Sequence, residues 1–295
     1  MNIITRNPLA DETAVLYDIW NCVFGSIGMD SFFRHLYSEN FCIVALYDGI
    51  PVSAGYLVPF GDLKVESYSI PCSMIYSVAT LPEYRGFGLG TAVVNELVSR
   101  SDKLGYPAVV LCPSEDNLFE YYCTRTKFRK WFFTDELSFK KDSFYAQPAT
   151  PIEISPAEYC SKRDVLLNGS AYIKHNSNIY EYQSMLNNES GGGFFIIDDC
   201  CAIVERESDK IVYLKELLVP NTTGNYASVK EIARKAVSSI SQLFSADEYI
   251  VRLPSTFDKG RRFGMLAINE SDFPCVFENK TGLNGDAPWY GVAFD

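Results

Sequence analysis

The chain of 295 residues contains only two histidines, His35 and His175, and neither has a carboxylate–histidine pattern around it. Metal centres and histidine-based triads both need an imidazole among further ligands or beside a carboxylate, so neither is expected. The nine cysteines include no pair with two residues between them. Most lie in apolar runs such as Phe41-Cys42-Ile43-Val44, the setting of buried reduced thiols rather than of a disulfide framework or a zinc site. The adjacent Cys200 and Cys201 read as small hydrophobes alternating across a strand. Basic residues are in deficit, with 26 Lys and Arg against 37 Asp and Glu, a net charge of −11. That balance opposes affinity built on neutralising nucleic-acid phosphates. It suits an acidic cleft that concentrates a cationic, amine-bearing ligand. No basic region leads into an apolar core at the start, and no apolar run approaches the length of a membrane span. The expected location is therefore cytoplasmic, with no nucleic-acid or membrane partner.

What is present is an ordinary globular composition, 47% apolar and 21% charged. At roughly 150 residues per domain, the length accommodates two. Asp11 to Phe24 places Val15, Leu16, Ile19, Trp20, Val23 and Phe24 on one helical face, with Asp11 positioned to cap its start. A short helix is predicted near Asp30–Ser38. Strands are predicted over Phe41–Tyr47 and Val52–Pro59, joined by a hairpin turn at Asp48-Gly49. A polar stretch follows, then a buried strand at Met74–Thr80. Thr91–Leu104 reads as an amphipathic helix stopped by Gly105, Ala108–Cys112 as a buried strand, and Asn117–Thr124 as a short helix. Aromatic-rich strands continue to Phe139.

Phe144–Glu153 has two prolines and no periodicity, which marks a linker near the midpoint. Beyond it, strands are predicted at Phe194–Ile197, Ala202–Glu205, Ile211–Val219 and Tyr249–Leu253, with a long helix over Tyr226–Phe244 and a final strand at Trp289–Phe294. Pro82 and Pro113 end the strands that flank the helix in the first half. Pro220 and Pro254 do so in the second at a similar separation, which suggests a duplicated unit.

The strongest local signal is Val78-Ala79-Thr80-Leu81-Pro82-Glu83-Tyr84-Arg85-Gly86-Phe87-Gly88-Leu89-Gly90-Thr91, between a predicted strand and a predicted helix. Closely spaced glycines let the backbone approach a ligand and turn its N–H groups inward. The helix start adds free N–H groups and a positive dipole end, and together these make a pyrophosphate site. No lysine follows the glycines, so a phosphate-loop NTPase is excluded. The spacing G-x-G-x-G differs from the dinucleotide fingerprint, although Glu115 stands where a ribose-binding acid would be.

The pattern R-G-x-G-x-G after V-A-T-x-P-E-Y resembles motif A of the GNAT (GCN5-related) N-acetyltransferases. The resemblance covers most of residues 1–140 and extends through Leu111-Cys112-Pro113-Ser114-Glu115-Asp116-Asn117-Leu118-Phe119-Glu120-Tyr121-Tyr122. That segment is similar to the family's strand, splay and tyrosine-bearing helix. Where the family has Gly-Phe after this helix, the chain has Lys127-Phe128. The two halves together resemble tandem GNAT proteins related to the Eis-type acetyltransferases, and the run Trp289–Asp295 is similar to that group's C-terminal end.

The resemblance implies a mixed α/β (α+β) chain of two GNAT-like mixed-sheet domains in tandem. Residues 1–143 would be the catalytic, acetyl-CoA-binding domain, 144–152 the linker, and 153–295 a degenerate copy. Its equivalent loop, Pro220-Asn221-Thr222-Thr223-Gly224-Asn225-Tyr226, has one glycine and no arginine. Backbone groups of Val78, Ala79 and Thr80 would pair with the pantetheine arm. Arg85, Gly86, Phe87, Gly88, Leu89, Gly90 and Thr91 would hold the pyrophosphate, and Asn117 would lie near the pantetheine. The amine attacks the thioester directly, so no cysteine nucleophile and no metal is implied.

An alkylamine must lose its proton near pH 7, which costs roughly 4–5 kcal/mol from its pKa of about 10.4. The leaving thiolate needs a proton, and Tyr122, or its neighbour Tyr121, can supply it. The tail carboxylates of Asp295 are the candidate base, with Glu66 or Glu115 as substitutes. The acceptor is a small-molecule or peptide amine. An acyl-CoA-binding protein without turnover and a dinucleotide oxidoreductase are the competing readings. Oligomeric state is left open.

Overall fold

A computed structural model describes residues 3–141, 144, 148–220, 226–255, 260–269, 273, 276 and 287–294. The first half runs β1 (Ile4–Arg6), α1 (Thr13–Phe24), α2 (Met29–His35), β2 (Cys42–Tyr47), β3 (Ile50–Val65), β4 (Tyr68–Thr80), α3 (Leu89–Lys103), β5 (Ala108–Leu111), α4 (Asp116–Arg125) and β6 (Arg129–Lys140). The second half follows the same plan with β7 (Ile152–Glu153), α5 (Pro156–Leu166), α6 (Ser177–Ser190), β9 (Gly193–Ile197), β10 (Cys200–Arg206), β11 (Ile211–Leu218), α7 (Tyr226–Ile240), β12 (Glu248–Pro254) and β13 (Arg261–Ala267). One strand, β8 (Tyr172–His175), has no counterpart and pairs with β3 across the halves.

All the described strands join one sheet, in the order β1-β2-β3-β4-β5-β13-β6-β12-β11-β10-β9-β7. The final strands are exchanged between halves. β13 lies between β5 and β6, and β6 pairs with β12 over Lys140↔Glu248 to Thr134↔Pro254. Exchange satisfies strand edges that each half would otherwise leave open.

Helices α1, α2, α5 and α6 share a single apolar core built on Trp20, Phe32, Tyr159 and Tyr180. Helix α3 buries Leu89, Val93, Val94 and Leu97 against β2–β5, each worth roughly 1.5–3 kcal/mol. Helix α7 does the same on β9–β12 through Ala233, Val237 and Ile240. Cys200 faces the α7 core and Cys201 the shared core, as alternation on a strand requires.

Several elements differ from the sequence expectation. Asp11 does not cap α1, because residues 10–12 form a 3-10 turn and Glu12 occupies the cap position. The Glu12 carboxylate instead accepts from the Leu9 N–H and pairs with Arg6. Helix α2 stops at His35, and α7 at Ile240. The supposed polar stretch after Pro59 is the tip of a long hairpin, paired from Ser53↔Thr80 to Val65↔Tyr68. The aromatic-rich region before Phe139 is one strand, not several. The end of the expected linker, Ile152, is already in β7.

Helices α5 and α6 and strand β13 lack a clean period in the sequence and were not anticipated. Trp289–Phe294 is not a strand. It contributes a single bridge, Tyr172↔Trp289, because Gly291 (φ +83°) and Phe294 (φ +58°) leave the extended region.

Candidate active site

Strands β4 and β5 run parallel and pair only from Cys72↔Ala108 to Met74↔Val110. Strand β5 then ends at Leu111 while β4 continues to Thr80, held on its other edge by β3. Beyond Met74, the edge of β4 that faces β5 therefore has no strand partner among the described residues. An open edge of this kind accepts an extended ligand through backbone hydrogen bonds.

A bulge lies within that open stretch. Tyr76 opposes Tyr56 and Ala79 opposes Ala54, so Ser77 and Val78 together face Gly55. Ser77 takes φ +48°, a conformation that side chains other than glycine rarely adopt. The extra residue breaks the ladder locally and re-aims its neighbours. A Cβ on Gly55 would lie 2.9 Å from Val93 Cγ1 and 3.0 Å from Leu97 Cδ1, so a glycine here lets α3 pack directly behind the bulge.

The glycine-rich turn leads from β4 into α3. Gly86 and Gly88 take φ +86° and +82°. Gly88 caps α3 without any side-chain hydrogen bond, so the first N–H groups of the helix are left for a ligand. A Cβ on Gly90 would lie 3.4 Å from Thr80 Oγ1, which brings the helix start against the strand end. Thr80 is itself fixed by Ser53, whose Oγ lies 2.8 Å from Thr80 Oγ1 and donates to the Ala79 carbonyl at 2.7 Å. Arg85 Nε donates to the Thr80 carbonyl at 3.2 Å.

A cleft of about 390 Å³ opens along these elements. Of the residues singled out in the sequence, Val78, Thr80, Arg85, Gly86, Gly88, Leu89, Gly90, Thr91 and Tyr122 line it. Ala79 does not, being buried on the opposite side of the strand. Phe87 turns away, half exposed, with its ring 5.8 Å from Tyr47. Asn117 sits in the first turn of α4 and also lies off the cleft wall. Sequence reasoning missed Val23 on α1, Tyr84 ahead of the glycine turn, and Leu118 and Arg125 on α4, which complete the wall. It also missed the bulge. Its one available signal was the isolated Gly55 inside a strand pattern.

Both tyrosines of α4 face the cleft. The Tyr121 hydroxyl lies 2.5 Å from Thr91 Oγ1. The Tyr122 hydroxyl makes no hydrogen bond to the described residues, and its ring packs 6.3 Å from Phe128. Burial, and then the neighbouring Tyr121, push the Tyr122 hydroxyl up to about 12.

Asp295 lies outside the described residues. The residue before it, Phe294, has its ring 5.7 Å from Tyr76 and 4.8 Å from Tyr182. Glu66 is excluded as a substitute base, because it sits at the tip of the β3–β4 hairpin, the end remote from Thr80. Glu115 is the cap residue of α4, beyond the end of β5. No cluster able to hold a metal ion occurs among the described residues, and no helix among them is long and apolar enough to cross a membrane. The second-half loop 221–225 lies outside the described residues.

Residues 5–123 match the model of the acetyltransferase (GNAT) domain. No curated protein sequence matches the chain. Among solved structures, a GCN5-related N-acetyltransferase from Kribbella flavida is similar at 15% identity and a TM-score of 0.65, over 92% of this chain and 72% of that one. Eis1 from Mycobacterium abscessus matches at 12% identity and 0.59, over 90% and 74%. A tandem GNAT protein from the clavulanic acid biosynthesis pathway matches at 12% and 0.52, over 90% and 98%. At these identities the structural matches establish the fold: two GNAT-like units in tandem.

Proposed function

We propose, on the premise that residues 5–123 form a GNAT acetyltransferase domain, that the first half transfers the acetyl group of acetyl-CoA to a primary amine. One observation carries the reading. The open edge of β4 ends at the uncapped start of α3, with the glycine turn between them. An extended amide-bearing arm can pair with the edge while its pyrophosphate meets helix N–H groups.

Val78 and Thr80 would bind the pantetheine through their backbone. Arg85 and the turn to Thr91 would hold the pyrophosphate. The bulge leaves one residue of β4 outside the ladder, so a backbone N–H there can face the thioester oxygen as negative charge develops on it. The amine nitrogen attacks the carbonyl carbon, the C–S bond breaks, and the amine loses a proton. Tyr122 gives its proton to the departing thiolate. The Asp295 carboxylate is the proposed base, supported by the position of Phe294 beside Tyr76. The acidic balance of the chain favours a cationic acceptor, and the second half serves as a degenerate copy that walls the acceptor side.

Thermal unfolding with acetyl-CoA, CoA and NAD tests this reading. Acetyl-CoA and CoA should raise the midpoint and NAD should not. Stabilisation by NAD alone would overturn it.

A further inference from the structure

The second half contains a buried charged cluster that acyl transfer in the first half does not use. Glu216 on β11 and Arg163 on α5 have no exposed surface. Arg163 Nε donates to both Glu216 oxygens, at 3.1 and 3.0 Å, and Nη1 donates to the Ile173 carbonyl at 2.8 Å. The Tyr159 hydroxyl and the Trp289 indole N–H also donate to Glu216. Burial opposes the charge on Arg163, but Glu216 together with Tyr180 and Tyr159 outweighs it and holds the guanidinium ionised. Removing either partner would strand a buried ion, so the cluster tolerates little movement of the groups bound to it.

The cluster sits at a telling place in the duplicated plan. Strand β11 corresponds in order to β4. Its pairing with β10 skips Lys215, since Glu216 opposes Ile203 and Leu214 opposes Val204. The second half thus keeps a bulge where the first half has Ser77 and Val78, and the residue after it is a carboxylate.

The bound group on the other side is the C-terminal segment. Trp289 N–H donates to the Ala171 carbonyl at 2.8 Å, and the Trp289 carbonyl accepts from Ile173 at 3.0 Å. At Gly291, a Cβ would lie 2.3 Å from Arg163 Nη2 and 3.1 Å from Glu216 Oε1, so no side chain fits. Val292 and Ala293 pass Gln183, Lys215 and Arg252. Phe294 then meets Tyr182 and Tyr76, and Tyr76 immediately precedes the first-half bulge. The segment therefore spans from the second bulge to the first.

We propose that Glu216, Arg163 and Trp289 are positioning residues for acyl transfer. They clamp the turn at Gly291 so that Phe294 forms the acceptor-side wall at Tyr76, and the degenerate copy of the bulge has become an anchor for the active one. This rests on the reading of the first half as the acyl-transfer centre.

Trp289→Phe keeps an aromatic ring while removing the indole hydrogen bond to Glu216, and Gly291→Ala crowds the same turn from the other side. Both are compared with the unmodified full chain by hydrogen–deuterium exchange, by acetyl-CoA calorimetry, and by thiol release from acetyl-CoA to hexylamine and to water. In each variant, exchange across residues 290–294 should rise about tenfold or more. Acetyl-CoA affinity should stay within about twofold, while kcat falls roughly 10–100-fold through misplacement of the acceptor wall. Unchanged exchange and kcat, with only a lower unfolding midpoint, would reduce the cluster to a folding element and overturn the proposal. Freed tail exchange with undiminished kcat would also overturn it. Failure of the unmodified chain to bind acetyl-CoA would instead overturn the acyl-transfer reading, and tail exchange would then judge the anchor alone.

Discussion

The hydroxyl of Tyr121 lies 2.5 Å from Thr91 Oγ1 and ties α4 to the first turn of α3, whereas the adjacent Tyr122 faces the same cleft with its hydroxyl unbonded to any described residue. This contrast separates two adjacent tyrosines, of which the sequence favours Tyr122 with Tyr121 as the alternative. Tyr122→Phe should lower kcat by about 10²–10⁴-fold, the range for a lost general acid, with acetyl-CoA affinity little changed. Tyr121→Phe should weaken acetyl-CoA binding more than it slows turnover, because Thr91 belongs to the helix start. Steady-state kinetics on both variants decide the assignment.

The pH dependence follows from the same residue. The acidic form of Tyr122 is present below its raised pKa of about 12 and is lost only above it. The alkaline limb of kcat should therefore not fall between pH 8 and about 10, beyond which an ordinary phenol would already be ionised. The limb at low pH should rise as the acceptor amine and its base lose protons. A decline centred well below pH 10 that persists in Tyr122→Phe would place the titrating acid elsewhere, and one that disappears in that variant would contradict the raised pKa of Tyr122.

Gly88→Asp should abolish measurable acetyl-CoA binding without unfolding the chain. Gly88 combines φ +82° with the cap position of α3. A side chain there is strained, and a carboxylate repels the pyrophosphate. Calorimetry gives the affinity and circular dichroism the fold. Normal binding by this variant would remove the glycine turn from the site.

Deleting Asp295, or extending the chain with a short C-terminal tag, should cut kcat and shift the acidic limb of its pH profile. An unchanged rate and profile after both changes would move the base elsewhere, with Glu115 the next candidate.

Glu216→Ala should destabilise the chain by about 3–5 kcal/mol in urea unfolding, because Arg163 would remain buried and charged without its partner. A change below about 1 kcal/mol would mean that water reaches the cluster.

Much of the cleft was legible because its signals are local. Val93, Val94 and Leu97 repeat at helical spacing, Gly105 ends the helix at φ +87°, and the glycines of the turn stand together. The sheet was not legible in the same way. Nothing in Arg261–Ala267 says that it inserts between β5 and β6, since register depends on partners more than a hundred residues away. The bulge at Ser77 was hidden because a serine, not a glycine, adopts the left-handed conformation. The tail looked like a strand because Trp289, Tyr290 and Val292 are β-forming residues. Gly291 carried the opposite signal, and the space its missing side chain leaves is filled by Arg163 and Glu216, which no local pattern connects to it.

The central claim is most directly tested by product analysis of the full chain incubated with acetyl-CoA and a panel of primary amines, following thiol release and the mass of each amine. Acetyl transfer predicts free CoA in equal amount to an amine heavier by one acetyl group, with saturation in acetyl-CoA and loss of the signal in Gly88→Asp. Saturable CoA binding with neither thiol nor acetylated amine across the panel would contradict it.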